Sequence, residues 1–378
     1  MQEHESFARL LRFREVLREQ NYTATYLRNE PCIQWLSVFD GVFDNEGAFS
    51  VTVTPNTACI HTDSRYQLAT ERAAKNSAFT ANFDVVSHAR CAASVLASDP
   101  ACVSAAAVLA VEDSLTLREY KQLNNEIDTK RTELHALTVE PTTDLILSLR
   151  AVKDAWEIQR LRASQAITDA AFAHIVDFVK PGMTEREVQQ ELEHFMLSHG
   201  AQELAFSSIV ATGENGASPH AIPADTVLEA GQCVVLDFGA KKDAYCSDMT
   251  RMLFLGEPSE RMRSAYAALV EANETVEAAL RPGVSGKEMH NLALSVLEKC
   301  GFGGLMGHGL GHGVGLEIHE LPNLSPANEQ ALQAGNVVTV EPGIYIPGEF
   351  GMRLEDFGVL TDTGFDIFTQ SSHNMVII

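Results

Sequence analysis

The chain has 378 residues, of which 45% are hydrophobic and 21% charged; this is enough for two ordinary domains and excludes extended disorder. Its 28 basic and 51 acidic residues give a formal net charge of -23, which repels the phosphates of nucleic acids and anionic lipid surfaces. We therefore expect neither a nucleic acid nor a membrane as a partner.

The N-terminal segment is charged from its third residue, which predicts a surface helix and not a signal peptide. The longest run of small apolar residues, at 101–111, is too short to cross a bilayer and predicts a buried strand. The seven cysteines stand singly, without a CxxC pair, which favours free thiols over disulfides or a zinc-thiolate site. Together these features predict a cytoplasmic protein.

The first third of the chain predicts a small α/β domain. Short apolar runs at 48–54 and 104–111 predict strands, and the stretch at 66–75 predicts a helix. A polar, helix-forming segment at 117–137 then leads to a turn at 139–144. We expect a first domain at 1–130, a linker at 131–149 and a second domain at 150–378.

The second domain contains an internal repeat. KPGMTEREVQQELEHFMLSHG (180–200) aligns without gaps on RPGVSGKEMHNLALSVLEKCG (281–301), an offset of 101 residues. Each copy carries a helix start signal, with Thr184 or Ser285 as the N-cap and a glutamate three residues later. Two helices with capping boxes can resemble each other by chance, but the preceding helices and following strands also match. We therefore predict two similar halves, each with helices followed by antiparallel strands, and a ligand site between them.

Carboxylates mark the strands of both halves. In the first half, strand alternation makes Asp237 project from an apolar strand, and Asp248 is expected on the returning strand. Alone, Asp237 also fits a turn aspartate at a strand end. In the second half, Glu341 ends a β-branched run and Glu355 is expected inside the next strand. A buried carboxylate is costly unless it is paired or binds a metal, so four of them predict a metal site.

The charge of these ligands predicts the number of metal ions, and their chemistry predicts the kind. Two divalent cations would neutralise four carboxylates, and one neutral histidine would complete the ligand set. Hard oxygen ligands with a single imidazole favour Mn²⁺ or Co²⁺, with Zn²⁺ as an alternative.

The stretch GHGLGHGVGLEIHE (307–320) offers three candidate histidines. A helical HExxH site fails, because Gly309 stands where the glutamate is needed and each glycine costs a helix about 1 kcal/mol. A GxGxxG fingerprint and a P-loop are also missing from the sequence. We expect the glycines to let the backbone approach a cluster or a substrate closely.

The segments that carry these carboxylates and histidines resemble the pita-bread metallopeptidases. That family includes Xaa-Pro aminopeptidase, Xaa-Pro dipeptidase (prolidase) and methionine aminopeptidase. HTDSRY (61–66) is typical of the creatinase/prolidase-type N-terminal domain. The resemblance covers nearly the whole chain and implies an α/β (α+β) fold, with that small domain followed by a pseudo-twofold catalytic domain. It rests on LDFGAKKDAYCSDMTR, GHGLGHGVGLEIHELP, VEPGIY, GMRLED and SSIVATGENGASPHAIP.

The resemblance also implies a role for each matching residue. Asp237 would bind one metal, His312 and Glu341 the other, and Asp248 and Glu355 both. His220 would contact the substrate and its scissile amide, and Glu341 would shuttle a proton. His308 and His319 would line the substrate pocket, His319 also stabilising the tetrahedral intermediate, and Arg353 would orient the cluster.

The implied activity is hydrolysis of the bond between an N-terminal residue and proline, in a homodimer. The large N-terminal domain favours this branch over methionine aminopeptidase. Some prolidases carry an arginine after HExP that clamps a dipeptide's carboxylate, and Asn323 stands there in this chain. We therefore expect an Xaa-Pro aminopeptidase, with Xaa-Pro dipeptidase as the alternative. A creatinase-like amidinohydrolase and a noncatalytic binding protein are the remaining alternatives.

Overall fold

The computed structural model describes residues 2–39, 41–44, 46–75, 77–83, 87–104, 106–143 and 145–378. The chain forms two compact units, residues 1–149 and 150–378. Among the described residues, no helix has both the length and the apolar character needed to cross a bilayer.

The first unit contains a six-stranded mixed sheet in the order β4-β3-β2-β1-β5-β6. The predicted N-terminal helix and the helix at 66–75 are both present, as α1 and α3. The strand predicted at 104–111 begins only at Val108, and Ala105 lies outside the described residues. The elements are α1 (Gln2–Glu19), β1 (Ala24–Leu27), α2 (Glu30–Ser37), β2 (Ser50–Val53), β3 (Ala58–His61), α3 (Gln67–Ala74), β4 (Thr80–Asn82), α4 (His88–Ser98), β5 (Val108–Glu112), α5 (Leu117–Thr129), β6 (Thr138–Thr142) and α6 (Leu147–Arg150).

The segment predicted as a linker, 131–149, contributes to this sheet. Thr138–Thr142, where the sequence predicts a turn, is strand β6 and pairs in parallel with β5 at the sheet edge. Its side chains are exposed or half-buried, so it lacks the apolar alternation that reveals a strand in a sequence. Asp144, the end of the predicted turn, lies outside the described residues.

The internal repeat is confirmed in the second unit. Helices α8 (Glu185–Ser198) and α11 (Gly286–Lys299) begin and end at equivalent positions of the two copies. Both capping boxes form, on Thr184 with Glu187 and on Ser285 with Glu288, and satisfy backbone N–H groups at each helix start. Each is preceded by a long helix, α7 (Ala155–Phe178) or α10 (Glu260–Ala279).

Antiparallel strands follow the helices in each half, as predicted. The first half supplies β8, β9 and β12, which are antiparallel, and the C-terminal strand β20 adds to β12 in parallel, giving the sheet order β20-β12-β9-β8. The second half forms a sheet in the order β14-β13-β15-β18-β19. Helices α7 and α8 pack their apolar residues on one face of the first sheet, and α10 and α11 pack in a cluster that includes residues of both sheets. The remaining elements are β7 (Glu203–Leu204), β8 (Ile209–Thr212), α9 (Gly213–Gly216), β9 (Cys233–Phe238), β10 (Ala240–Lys242), β11 (Tyr245–Cys246), β12 (Met249–Phe254), β13 (Gly311–Gly313), β14 (Glu320–Leu324), β15 (Val337–Val340), β16 (Gly343–Ile346), β17 (Phe350–Arg353), β18 (Asp356–Thr361), β19 (Gly364–Ile367) and β20 (Val376–Ile377).

Candidate metal centre

The four predicted carboxylates stand at equivalent places in the two sheets. Asp237 is the penultimate residue of β9, and Glu341 directly follows β15. Asp248 and Glu355 each lie one residue before a strand, β12 and β18 respectively. The sequence placed these last two inside strands: Asp248 lies just outside β12, whereas Glu355 pairs with Thr250 in an antiparallel bridge directly before β18.

His312 comes from β13, an extended segment and not a helix. Its neighbour Gly311 is required there, because a Cβ at Gly311 would lie 2.1 Å from the carbonyl oxygen of Thr339 on the adjacent strand. Gly309 and Gly311 also line the cavity that contains the predicted ligands, so the close approach of this backbone to a cluster or substrate stays a prediction.

All nine residues selected from the sequence line one cavity of about 490 Å³ in the second unit. Within it, single ligand atoms of Asp248, His312 and Glu355 all lie within 4.8 Å of one another. The nine residues are His220, Asp237, Asp248, His308, His312, His319, Glu341, Arg353 and Glu355.

The imidazole of His312 is oriented by its surroundings. Its Nδ1 lies 3.1 Å from the carbonyl oxygen of Gly313, to which it donates in the tautomer that we assign from this network. Nε2 then carries the lone pair and lies 3.5 Å from Asp248 Oδ2 and 3.4 Å from Glu341 Oε1. Burial lowers the pKa of His312 to about 4, so the ring is neutral near pH 7 and able to bind a metal.

Arg353 connects the cluster to its supports through all three guanidinium nitrogens. It donates from Nε to Thr250 Oγ1 (3.0 Å), from NH1 to the Tyr345 hydroxyl (2.7 Å), and from NH2 to Asp237 Oδ2. Thr250 in turn donates to Glu355 Oε2 at 2.6 Å. Thr250 and Tyr345 were not among the residues selected from the sequence. Thr250 could have been found, because it stands two residues after Asp248, and period-two alternation puts both on one strand face.

The carboxylates strongly perturb one another. Burial, followed by the charges of Glu355, Asp237 and Glu341, raises the pKa of Asp248 well above its ordinary value. Burial and the charges of Glu341 and Asp237 likewise raise the pKa of Glu355. Burial raises the pKa of Glu341 to about 8, although Arg353 opposes the change. Such a cluster is unfavourable without additional positive charge.

One buried carboxylate oxygen, on Asp237, indicates where a cation would bind. Asp237 Oδ1 is buried and accepts no hydrogen bond from any residue that the structure describes. A buried carboxylate oxygen without a donor is costly, and a cation would satisfy it. The donor set of four carboxylates and one neutral imidazole therefore fits divalent metal ions.

Three further histidines surround this cluster. His308 donates from Nδ1 to the carbonyl of Gly309 (2.7 Å) and contacts the Tyr345 hydroxyl through Nε2 (3.0 Å), so both ring nitrogens are engaged. The His319 ring lies edge-on to that of His312, with 4.4 Å between centroids, and burial lowers the His319 pKa. His220 is exposed at the cavity wall.

Comparison with protein families identifies this arrangement. Residues 159–362 match the model of Metallopeptidase family M24, and residues 9–152 match that of the Creatinase/Prolidase N-terminal domain. The chain belongs to metallopeptidase family M24. The predicted family and pita-bread fold are thus confirmed, and this M24 member is a metal-dependent hydrolase that acts on peptides.

Named relatives of this M24 chain include both dipeptidases and an aminopeptidase. A curated Xaa-Pro dipeptidase of Pyrococcus furiosus is 38% identical over 62% of this chain and 67% of its own length. The solved Xaa-Pro dipeptidase from Bacillus anthracis has a TM-score of 0.90 and 34% identity, covering 99% of this chain and 100% of that one. The X-Pro aminopeptidase from Thermotoga maritima has a TM-score of 0.82 and 30% identity, covering 96% and 100%.

Proposed function

We propose that this M24 hydrolase is an Xaa-Pro aminopeptidase, which cleaves the peptide bond between an N-terminal residue and a proline in second position. The observation that carries the proposal is the convergence of four carboxylates and His312 on one cavity. The specificity for proline rests on the similar proteins, which are named as Xaa-Pro dipeptidases and an X-Pro aminopeptidase.

Five residues would hold two divalent ions, with Mn²⁺ as the proposed metal and Co²⁺ or Zn²⁺ as the alternatives. Asp237 would hold one ion, His312 and Glu341 would hold the other, and Asp248 and Glu355 would contribute to both. The contact distances among Asp248, His312 and Glu355 support the shared positions of the two carboxylates. When bound, the ions supply a water of lowered pKa and polarise the substrate carbonyl.

Side chains that line the cavity then bind the substrate and transfer protons. Glu341 carries a proton on its carboxyl to the leaving proline nitrogen, while Thr339 Oγ1 orients Glu341 by donating to Oε1 at 3.2 Å. His319 and His220 donate to the developing oxyanion and hold the scissile amide. His308 does not donate to substrate in this proposal, because both its ring nitrogens are already engaged.

The charge of the cavity wall supports the choice of aminopeptidase. A dipeptide places its C-terminal carboxylate inside the site, where a free cation would stabilise it. Among the described residues that line the cavity, the only arginine is Arg353, and its guanidinium is already bound to Asp237, Thr250 and Tyr345. Asn323 occupies the wall position where some prolidases have arginine.

Peptide length is the direct test. We expect the Mn²⁺-loaded enzyme to cleave Xaa-Pro-Yaa-Zaa with a higher kcat/KM than Xaa-Pro, and to lose both activities when a chelator removes the metal. A strict preference for the dipeptide would establish the second candidate, Xaa-Pro dipeptidase, which the names of the similar proteins favour. Comparing Mn²⁺, Co²⁺ and Zn²⁺ in the same assay tests the metal.

We also propose a cytoplasmic homodimer. All seven cysteines lie in the described part of the chain as free thiols, which supports a reducing compartment. The dimer rests on the family resemblance, and light scattering of the purified protein tests it.

A further inference from the structure

Glu185, at the start of α8, is a buried carboxylate that the proposed mechanism does not use. Its side chain is fully shielded from solvent. Oε1 accepts a hydrogen bond from the backbone N–H of Thr212 (2.8 Å), and Oε2 accepts from Asn215 Nδ2 (2.8 Å) and the backbone N–H of Ala224 (2.9 Å). One carboxylate therefore binds three donors from a single segment, residues 212–224.

This segment carries His220 at the cavity wall. Thr212 and Ala224 are its two ends, and Glu185 joins them at the base of the segment. The backbone N–H of Arg186 also donates to the carbonyl oxygen of Ala224 at 3.2 Å, and Thr212 pairs within the β8–β9 ladder. Near its tip, Arg353 Nη1 donates to the carbonyl oxygen of Pro219 at 3.2 Å. The position of His220 therefore depends in part on Glu185, the side chain that joins both ends of the segment, and on Arg353 next to His220 itself.

The other half of the repeat shows that helix α8 does not need Glu185 for its own stability. At the equivalent position α11 has Gly286, where a Cβ would lie 2.2 Å from the carbonyl oxygen of Asn323. Both helices are capped by the same device, which uses Glu187 in α8 and Glu288 in α11. The capping box of α11 is thus complete without a glutamate at this position, and that of α8 uses Glu187 and not Glu185, so the contacts of Glu185 serve the 212–224 segment.

We propose that Glu185 is a positioning residue for catalysis, which fixes the 212–224 segment so that His220 reaches the scissile amide. The proposal rests on the proposed role of His220. Charge-assisted hydrogen bonds to backbone N–H groups are short and directional, so they suit a segment whose displacement would misplace a substrate-binding group.

The test is a double-mutant cycle between Glu185→Gln and His220→Ala in the metal-loaded enzyme. Glutamine keeps the shape of the side chain but puts an NH₂ group where an oxygen accepted, so at least one of the three hydrogen bonds is lost. We expect Glu185→Gln to lower kcat/KM for an Xaa-Pro-Yaa peptide by about 10- to 100-fold. In the His220→Ala background the same substitution should lower kcat/KM less than about twofold, because the positioned group is missing.

The matched control is Glu187→Gln, on the same helix two residues away. Its amide oxygen can still accept in the capping box of α8, but the substitution removes a favourable negative charge from the first turn, and no hydrogen bond of the described residues joins Glu187 to the 212–224 segment. It should lower the melting temperature slightly while leaving kcat/KM within about twofold of wild type. Metal content, measured by elemental analysis, should equal that of wild type in every variant, because Glu185 and His220 are outside the proposed ligand set.

A second variant keeps the test valid if Glu185→Gln does not fold. Asn215→Ala removes one of the three donors to Glu185 and leaves α8 unchanged. It should lower kcat/KM by a smaller factor, again only when His220 is present.

Three results would overturn the inference. If Glu185→Gln lowers kcat/KM by the same factor with and without His220, or has no effect while His220→Ala lowers it, Glu185 does not act through His220. If His220→Ala itself leaves kcat/KM unchanged, the proposed role of His220 fails, and the inference fails with it.

Discussion

Replacing Glu341 by glutamine is expected to change the stability of the metal-free and metal-loaded protein in opposite directions. In the metal-free protein, burial raises the Glu341 pKa from 4.5 to about 8. As the pH rises above 4.5, the unfolded chain loses this proton while the folded chain keeps it, so stability falls between pH 4.5 and about 8. At pH 7 the raised pKa of Glu341 lowers the free energy of unfolding by about 3 kcal/mol.

Glutamine has no proton to retain, so Glu341→Gln removes this cost. At pH 7 the metal-free variant should gain up to about 3 kcal/mol, or roughly 6–12 °C in melting temperature. It should lose most of the stabilisation that Mn²⁺ gives wild type, because the amide is a poorer ligand. Turnover should fall by about 10²- to 10⁴-fold with the loss of the proton carrier.

Differential scanning fluorimetry from pH 5 to 8, with chelator or with Mn²⁺, measures the metal-free stability and the stabilisation by Mn²⁺. Peptide hydrolysis measures the turnover. Glu349→Gln serves as the control, because Glu349 forms an exposed ion pair with Arg261 that contributes less than about 1 kcal/mol. A metal-free Glu341→Gln protein less stable than wild type at pH 7, or one with near wild-type turnover, would refute the reasoning.

Three other substitutions probe the site. Gly311→Ala forces a Cβ against the carbonyl of Thr339, so we expect a lower melting temperature and, since His312 is displaced, weaker Mn²⁺ binding by calorimetry; unchanged binding would contradict the close contact. Arg353→Lys cannot make the contacts of the guanidinium, so Mn²⁺ affinity should fall about 10- to 100-fold, and wild-type affinity would argue against its orienting role. Asn323→Arg should raise kcat/KM for Xaa-Pro relative to Xaa-Pro-Yaa-Zaa; an unchanged ratio would show that this position does not set peptide length.

The sequence predicted those parts of the fold and site that depend on local patterns. The repeat at 180–200 and 281–301 predicted α8, α11 and both capping boxes, because N-cap chemistry depends on residues three positions apart. Period-two alternation likewise predicted that Asp237 projects from an apolar strand, and all nine selected residues line one cavity.

Features that depend on distant partners were missed. Strand β6 exists through its parallel pairing with β5, and its exposed side chains carry no apolar alternation. The Tyr345 hydroxyl joins Arg353 to His308 only because β16 and β17 pair as a hairpin. Glu185 looks in the sequence like any polar residue in a first helical turn, and its burial depends on a segment that begins 27 residues later.

The proposed metal ions would also stabilise the fold, because their carboxylate ligands come from both halves of the repeat. Asp237 and Asp248 belong to one half of the repeat and Glu341 and Glu355 to the other, and the backbone N–H of Glu355 donates to the carbonyl of Thr250 across the halves at 3.2 Å. Ions held by both pairs would add a cross-link between the two halves, which already share one apolar cluster. The working lifetime of the folded enzyme should therefore rise and fall with the free metal concentration around it, even when no substrate is present.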